Sequence, residues 1–504
     1  MSATDGCLLG IDIGTSGLKC VLVDSGGQVL EHAFRPYAPD TPRPGWAEQD
    51  PEIWAEAALS AVSEVVDRAG VSRASIASLG FSGQMHSTVC LDKDGRCLRP
   101  AILWLDHRSV AQVAALREQI GTPQLAEWIG NPIMPGFMLA SLLWLKECEP
   151  ATWDRLAHVL LPKDYVRYRL TGELGTDYSD ASSTALLNVR QREWCSELLR
   201  TAGIPADILP PLRESTAPIG QLTPRMAEIM QVSNGLPVAC GAGDQEAQAI
   251  GNGLIRSGLV SCTIGTGGQL FTPIERFQFD PQLRLHTFCH AVPGQWHWEA
   301  ATLAAGLSLR WLRDEVLAGR YTYQEMADAA ATIEPGAEGL LYLPYLAGER
   351  TPHMDPTAKG VFCGLTLRHG WQHLTRAVME GVVFSLRDGL ELMQSMGLSI
   401  ERVVASGGGT QHPLWLQLQA DILGAEVVRT EAQEAAALGA ALLAGVGVGL
   451  YSDFSTACEA AVRYSREVYR PRPAIGARYR EQAEIFRGLY RALAPIFGDL
   501  ASRA

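Results

Sequence analysis

Ile11-Asp12-Ile13-Gly14-Thr15-Ser16-Gly17 stands near the start of the chain, and Cys262-Thr263-Ile264-Gly265-Thr266-Gly267-Gly268 stands just past its middle. Each time an apolar run leads into Ile-Gly-Thr-x-Gly and another apolar run comes after it, Val21-Leu22-Val23 in the first copy and Leu270-Phe271 in the second. The pattern predicts a strand, a tight glycine turn and a second strand. Glycines let such a turn approach a ligand closely, while a Thr hydroxyl and free N–H groups can hold phosphate oxygens. One copy alone is only a hairpin. Two copies, one opening each half, predict a duplicated phosphate clamp closing on a nucleotide from both sides, with Thr15 and Ser16 in one jaw and Gly265, Thr266 and Gly267 in the other.

At 504 residues the chain is too long for one ordinary core, and two or more domains are expected. An apolar share of 47% with 19% charged residues is that of a globular enzyme. A formal net charge of −13 without a long basic tract argues against nucleic acid as partner. The arginines between 463 and 491 are interrupted by Glu467, Glu481 and Glu484, as on a solvated helix face. The eleven cysteines contain no CxxC and no regular spacing, which fits reduced, mostly buried thiols. No signal peptide or membrane-spanning apolar run is recognised, so the expected location is the cytoplasm.

The first half reads as strands over 8–13 and 19–23, then a helix capped by Asp50 with Pro51 in its first turn. A strand over 76–81 ends in Ser82-Gly83-Gln84-Met85-His86, further strands fall over 89–91 and 101–104, and residues 109–237 are helix-rich. The second half repeats the plan, with strands over 259–264 and 270–272 and a strand over 403–405 ending in Ser406-Gly407-Gly408-Gly409. Small-residue helices close the halves, over 245–250 and 435–443. The expected fold is α/β: two duplicated domains, 1–254 and 255–504, around a central cleft, with the boundary in 251–257.

Several residues can carry chemistry. Asp12, at the end of the first strand, can hold Mg²⁺ beside a triphosphate, or simply bond local backbone. Asp244 follows Gly241-Ala242-Gly243 and opens a helix; it reads as an N-cap and as a general base that accepts the proton of an attacking hydroxyl. Gln84, Met85 and His86 leave a strand end where a small polar ligand can sit, although a lone His beside a Met also serves as a structural residue. Asp106 and Arg108 can bond sugar hydroxyls or form a surface ion pair. Gly407 and Gly408 let a flat ring such as adenine lie against bare backbone. The polar segment 348–353 has the look of a functional loop without declaring its job.

Together these residues resemble the FGGY family of carbohydrate kinases, nearly end to end. The resemblance runs through Asp12-Ile13-Gly14-Thr15-Ser16, Trp46-Ala47-Glu48-Gln49-Asp50-Pro51, Gly83-Gln84-Met85-His86 and Asn131-Pro132-Ile133-Met134-Pro135-Gly136-Phe137. It continues in Leu161-Pro162-Lys163-Asp164-Tyr165, Gly241-Ala242-Gly243-Asp244, Gly348-Glu349-Arg350-Thr351-Pro352-His353, Glu380-Gly381 and Ala437-Leu438-Gly439-Ala440. It implies ribonuclease-H-like domains of the actin and sugar-kinase superfamily, with the sugar on the first and ATP on the second. It further implies Asp244 as base, Met85 and His86 on the sugar, Asp12 near Mg²⁺, Gly265, Thr266 and Gly267 along the phosphates, and Gly407 and Gly408 near adenosine. The Gln-Met-His, Leu-Pro-Lys-Asp-Tyr and Gly-Glu-Arg-Thr-Pro-His segments are nearer to the family's D-xylulose kinases than to its glycerol kinases. The implied partners are a small sugar and ATP, with neither nucleic acid nor membrane, in the homodimer common among such enzymes. Three positions depart from the pattern: Gln245 stands for an Asn expected to touch the sugar, Leu105 for an Asn, and Gly267 for a Ser. The first two keep D-ribulose, L-ribulose and glycerol open as acceptors. A non-catalytic sugar sensor or an actin-like ATPase scaffold is the reading from another class.

Overall fold

The computed structural model describes residues 6–502. Cys7–Ile13 (β1) and Gly17–Val23 (β2) form an antiparallel hairpin around the first glycine turn, and β2 pairs onward with Val29–Pro36 (β3). On its other edge β1 runs parallel to Ile76–Gly83 (β4). Pro218–Gln221 (β5), Pro237–Ala239 (β6) and Ala242–Gly243 (β7) complete the sheet, in the order β5-β6-β4-β1-β2-β3 with β7 also against β4.

The second sheet is built from Leu259–Ile264 (β8), Gly268–Ile274 (β9), His286–Cys289 (β10), Trp296–Thr302 (β11), Arg402–Gly407 (β12) and Val427–Arg429 (β13). Its order is β10-β11-β9-β8-β12-β13. Counted outward from the glycine turn, each sheet has an antiparallel meander on one side (β1-β2-β3 and β8-β9-β11) and parallel strands on the other (β4 and β6, β12 and β13). The expected duplication is thus present in the topology as well as in the motif.

The helix Pro51–Ala69 (α1) begins as its residues dictate: the Asp50 carboxylate accepts the Glu52 N–H at 3.0 Å, and Gly70 ends it in the left-handed conformation. Trp54, Ala58, Ala61, Val62 and Val65 bury one face of α1 in the core of the first sheet. Residues between β4 and β5 form a helical layer with its own apolar cluster around Leu139, Leu142 and Leu145. The 25-residue helix Trp371–Ser395 packs in the core of the second sheet. None of the helices among the described residues is long and apolar enough to cross a membrane. All eleven cysteines are free; Cys148 and Cys363 are exposed, Cys97 is half-buried and the rest are buried.

One departure from expectation decides how the halves meet. The sequence pattern places the helices Asp244–Gly251 (α2) and Ala435–Gly447 (α3) each in the half that it closes, yet α3 lies on the first sheet and crosses α2. A Cβ on Gly10 of β1 would stand 2.0 Å from the Ala437 carbonyl oxygen, and one on Gly439 would stand 1.8 Å from that of Ala247. Backbones come this close only where side chains are missing on the facing surfaces, so the Ala/Gly composition of α3 serves a three-way junction. On its other side α2 packs through Ala249 against Leu259 and Phe271 of the second sheet. The helix that starts with Asp244 therefore sits between both sheets.

Candidate active site

Asp12, Asp244, Thr263 and Gly407 line one cavity of about 350 Å³, together with Lys19, Gln248 and Asn252. Asp12 is at the end of β1, where the parallel partner strand places Ser82 opposite it; the Ser82 hydroxyl donates to Asp12 Oδ1 at 2.9 Å. Oδ2 accepts no hydrogen bond among the described residues. Burial raises the Asp12 carboxyl above the ordinary carboxylate range, against the pull of Lys19 and Ser82.

Asp244 opens α2. Gly243 is the N-cap, so the N-cap role considered for Asp244 is corrected: it is the first helical residue, and its side chain is free to enter the cavity. Burial, and then the negative charge of Asp12, push its carboxyl up to about 8, while the Gln245 amide donates to Oδ1 at 3.3 Å. A carboxyl held near neutrality in a cleft can take a proton from a hydroxyl and release it again. Gln245 thus reaches the Asp244 carboxyl itself.

Beside Asp244 lies the loop after β4. His86 has a left-handed backbone (φ 69°) and its ring stacks on Phe137 with centroids 4.0 Å apart. Its Nδ1–H donates to the Ser183 carbonyl at 2.6 Å, which leaves Nε2 as an acceptor. Burial, with Arg350 adding to it, lowers the imidazole to about 4, so it is neutral at physiological pH. Met85 is buried next to Gly243.

A second cavity, about 300 Å³, is lined by Gly265, Thr266, Gly306, Gly408, His412 and Trp415, among others. Gly407 lines the first cavity and Gly408 the second, so the two lie on either side of the triple glycine. The absence of a Ser at Gly267 has a steric reason: a Cβ there would stand 2.7 Å from the Thr302 carbonyl oxygen.

The placements of other expected residues differ. Gln84 is buried; it accepts from the Thr15 hydroxyl at 3.1 Å, and Thr15 in turn accepts from Trp104 Nε1 at 2.9 Å. Both side chains brace the first turn from behind, and Ser16 is the turn residue that stays exposed. Asp106 and Arg108 are not a surface pair. Both side chains are 1% exposed, with the Asp106 oxygens bonded to Ala47 N–H and to Arg108, and the guanidinium lying 3.7 Å over Trp46 and paired with Glu48. Such saturation leaves the Asp106 carboxylate nothing to offer a sugar.

Glu299 escaped the sequence reading, which quotes Arg350 only as part of the 348–353 segment. Glu299 is on β11 directly opposite His286 and Phe271, and its charge acts on Asp244. Arg350 belongs to the 348–353 segment, whose job is now visible. Glu349 accepts from Thr302 Oγ1, Leu303 N–H, Arg350 N–H and Ser385 Oγ, and so ties the segment to the strand end behind the second turn. The only available signal was a single carboxylate in the apolar run Trp296-His297-Trp298-Glu299-Ala300.

The geometry agrees with the relationships of the chain. The N-terminal domain of the FGGY family of carbohydrate kinases matches residues 7–251, and its C-terminal domain matches residues 260–448. A xylulose kinase of Bacillus subtilis is 37% identical over 483 residues, 96% of each chain. A gluconokinase of the same organism is 32% identical over 507 residues, 98% of this chain and 95% of the other. Among solved structures, xylulose kinase from Rhodospirillum rubrum superposes with a TM-score of 0.92 at 31% identity, covering 98% of this chain and 100% of that one. With both domain models matched in order around a cleft built from two copies of one turn, the chain belongs to the FGGY family of carbohydrate kinases.

Proposed function

We propose that the chain transfers the γ-phosphoryl group of ATP to the terminal hydroxyl of a ketopentose, D-xylulose, giving D-xylulose 5-phosphate. The observation that carries this reading is the position of Asp244: it stands in the cavity where the two glycine-turn strands converge, with its carboxyl poised near neutrality by burial and by Asp12. The sugar lies on the first half against Met85 and His86, and the nucleotide on the second, with adenosine by Gly407 and Gly408 and the phosphates along Gly265, Thr266 and Gly267. Division of the chain at 254/255 separates these tasks.

As the hydroxyl oxygen bonds to phosphorus and the β–γ bridging oxygen leaves, the proton passes to an Asp244 oxygen. His86 Nε2 accepts a hydrogen bond from a sugar hydroxyl and so orients it. Backbone N–H groups of the turns face the charge that develops on the phosphate oxygens. A magnesium ion carried in with the nucleotide would be held by Asp12, whose Oδ1 accepts from Ser82 and whose second oxygen would be left for the ion. Bound there, the ion offsets negative charge on the phosphates. We place the enzyme in the cytoplasm as a homodimer; Ile485, Ile496 and Leu500, exposed on the last helix, support pairing, which a sizing column checks.

The gluconokinase relative favours a second reading, in which the acceptor is an aldonate. A coupled ADP-release assay with Mg-ATP against D-xylulose, D-ribulose, L-ribulose, glycerol and gluconate separates these. Selective turnover of D-xylulose is expected; preference for another acceptor would replace it, and ATP binding without turnover of any would favour a sensor.

A further inference from the structure

The face of the second sheet that looks into the cleft carries an uneven set of side chains. Directly opposed residues on paired strands share a face, so Glu299, His286 and Phe271 stand together, with Gln269 and Ala301 one step along. Where β10 stops, residues 349–351 run on beside β11: the Thr351 N–H donates to the Ala301 carbonyl at 3.0 Å. This sets Arg350 next to the same patch. The sugar loop of the first half reaches it too, because Phe137, which stacks on His86, lies 6.0 Å from the His286 ring.

In this cluster Arg350 is the only cation, and no atom among the described residues accepts a hydrogen bond from its guanidinium. Burial lowers it, and Glu299 is the first of the two carboxylates that oppose this. Glu299 itself is raised by burial and held down by Gln269 and Arg350. His86 and His286 are both neutral, lowered to about 4 and about 3, by burial first and with Arg350 adding to it. Glu349, the other carboxylate near Arg350, is spent on four hydrogen bonds. Glu299 therefore remains as the group that balances the cation inside the cleft while still able to receive hydroxyl groups.

We propose that Glu299 determines acceptor class: by balancing Arg350 it makes the pocket a receiver of neutral polyhydroxy ketones and keeps out sugars that bear a carboxylate. This rests on the reading of the cleft beside Asp244 and His86 as the acceptor site. A carboxylate entering the pocket meets the negative charge of Glu299 beside Arg350, and like charges in a desolvated site discriminate strongly. A neutral sugar has hydroxyls that donate to Glu299 and accept from Arg350 at once.

The test is Glu299→Gln, which keeps shape and removes the charge. Gluconate is titrated as a competitive inhibitor of D-xylulose phosphorylation, which needs no turnover of gluconate itself. Its inhibition constant should fall by about tenfold or more relative to the D-xylulose KM, and Arg350→Gln added to that background should reverse the gain. An unchanged ratio would overturn the proposal. If Glu299→Gln does not fold, Arg350→Gln alone carries the test: gluconate inhibition should weaken relative to D-xylulose, and strengthening would refute it. Failure of the broader reading is distinguishable, since there the unmodified enzyme would not phosphorylate D-xylulose at all.

Discussion

The two glycine turns occupy the same place in their sheets, and the difference with most chemical consequence is Asp12 in one against Thr263 in the other. In the first half Asp12 pairs in register with Ser82, and Ile13 with Gly83. In the second half Thr263 pairs with Ser406, and Ile264 with Gly407. Each copy even makes the equivalent bond, Ser82 Oγ to Asp12 Oδ1 at 2.9 Å and Thr263 Oγ1 to Ser406 Oγ at 2.7 Å. The duplicated backbone is thus a common cradle, and in the proposed function the exchange of carboxylate for hydroxyl would divide the labour. A carboxylate on the nucleotide side would repel a triphosphate; on the sugar side it can share a cation with it. The residues after the neighbouring strand differ as well: Gln84-Met85-His86 in one half, a triple glycine open to a flat base in the other.

Making the first copy resemble the second should have the larger effect. Asp12→Asn keeps the Ser82 bond but loses the charge proposed to hold magnesium, and kcat should fall on the order of a hundredfold or more. A coupled assay over a magnesium titration reads this as a loss that excess metal restores only in part. Making the second copy resemble the first should act on binding: Thr263→Asp should raise the KM for ATP about tenfold and leave the D-xylulose KM nearly unchanged. Equal loss of both would mean that the copies do not divide nucleotide from sugar.

The smallest effects concern the titration of Asp244, the residue between the copies. Its folded-state carboxyl is raised to about 8 from an ordinary 3.8. The base is needed ionised, so kcat/KM should rise with pH up to a limb near 8. Stability runs the other way. The folded protein holds a proton that the unfolded chain releases, so stability is lost as pH climbs from about 3.8 through about 8. Asp244→Asn should therefore melt a few degrees higher than the unmodified protein, with the gap widening from about pH 6 to about pH 9.

The contrast between the copies was legible because its signals are local. Ile-Gly-Thr-x-Gly, the Asp50 cap with Pro51, and the strand runs each declare themselves within a few residues. Residues whose meaning comes from distant neighbours were less readable. Asp106 and Arg108 look like cleft residues until Trp46, Ala47 and Glu48 are folded over them. The crossing of α3 over the first sheet depends on Gly10 leaving room for Ala437, near the opposite end of the chain. Glu299 and Arg350 meet only through strand register and a loop anchored by Glu349; Arg350 lies in a recognisable segment, but Glu299 belongs to no motif.

The measurement that bears most directly on the whole scheme is single-residue removal of the base. Asp244→Ala should reduce D-xylulose-dependent ADP release by about a thousandfold while ATP affinity, read by calorimetry, stays within a few-fold of the unmodified protein. Turnover retained in a folded, ATP-binding Asp244→Ala variant would contradict the assignment of the base and the division of labour built around it.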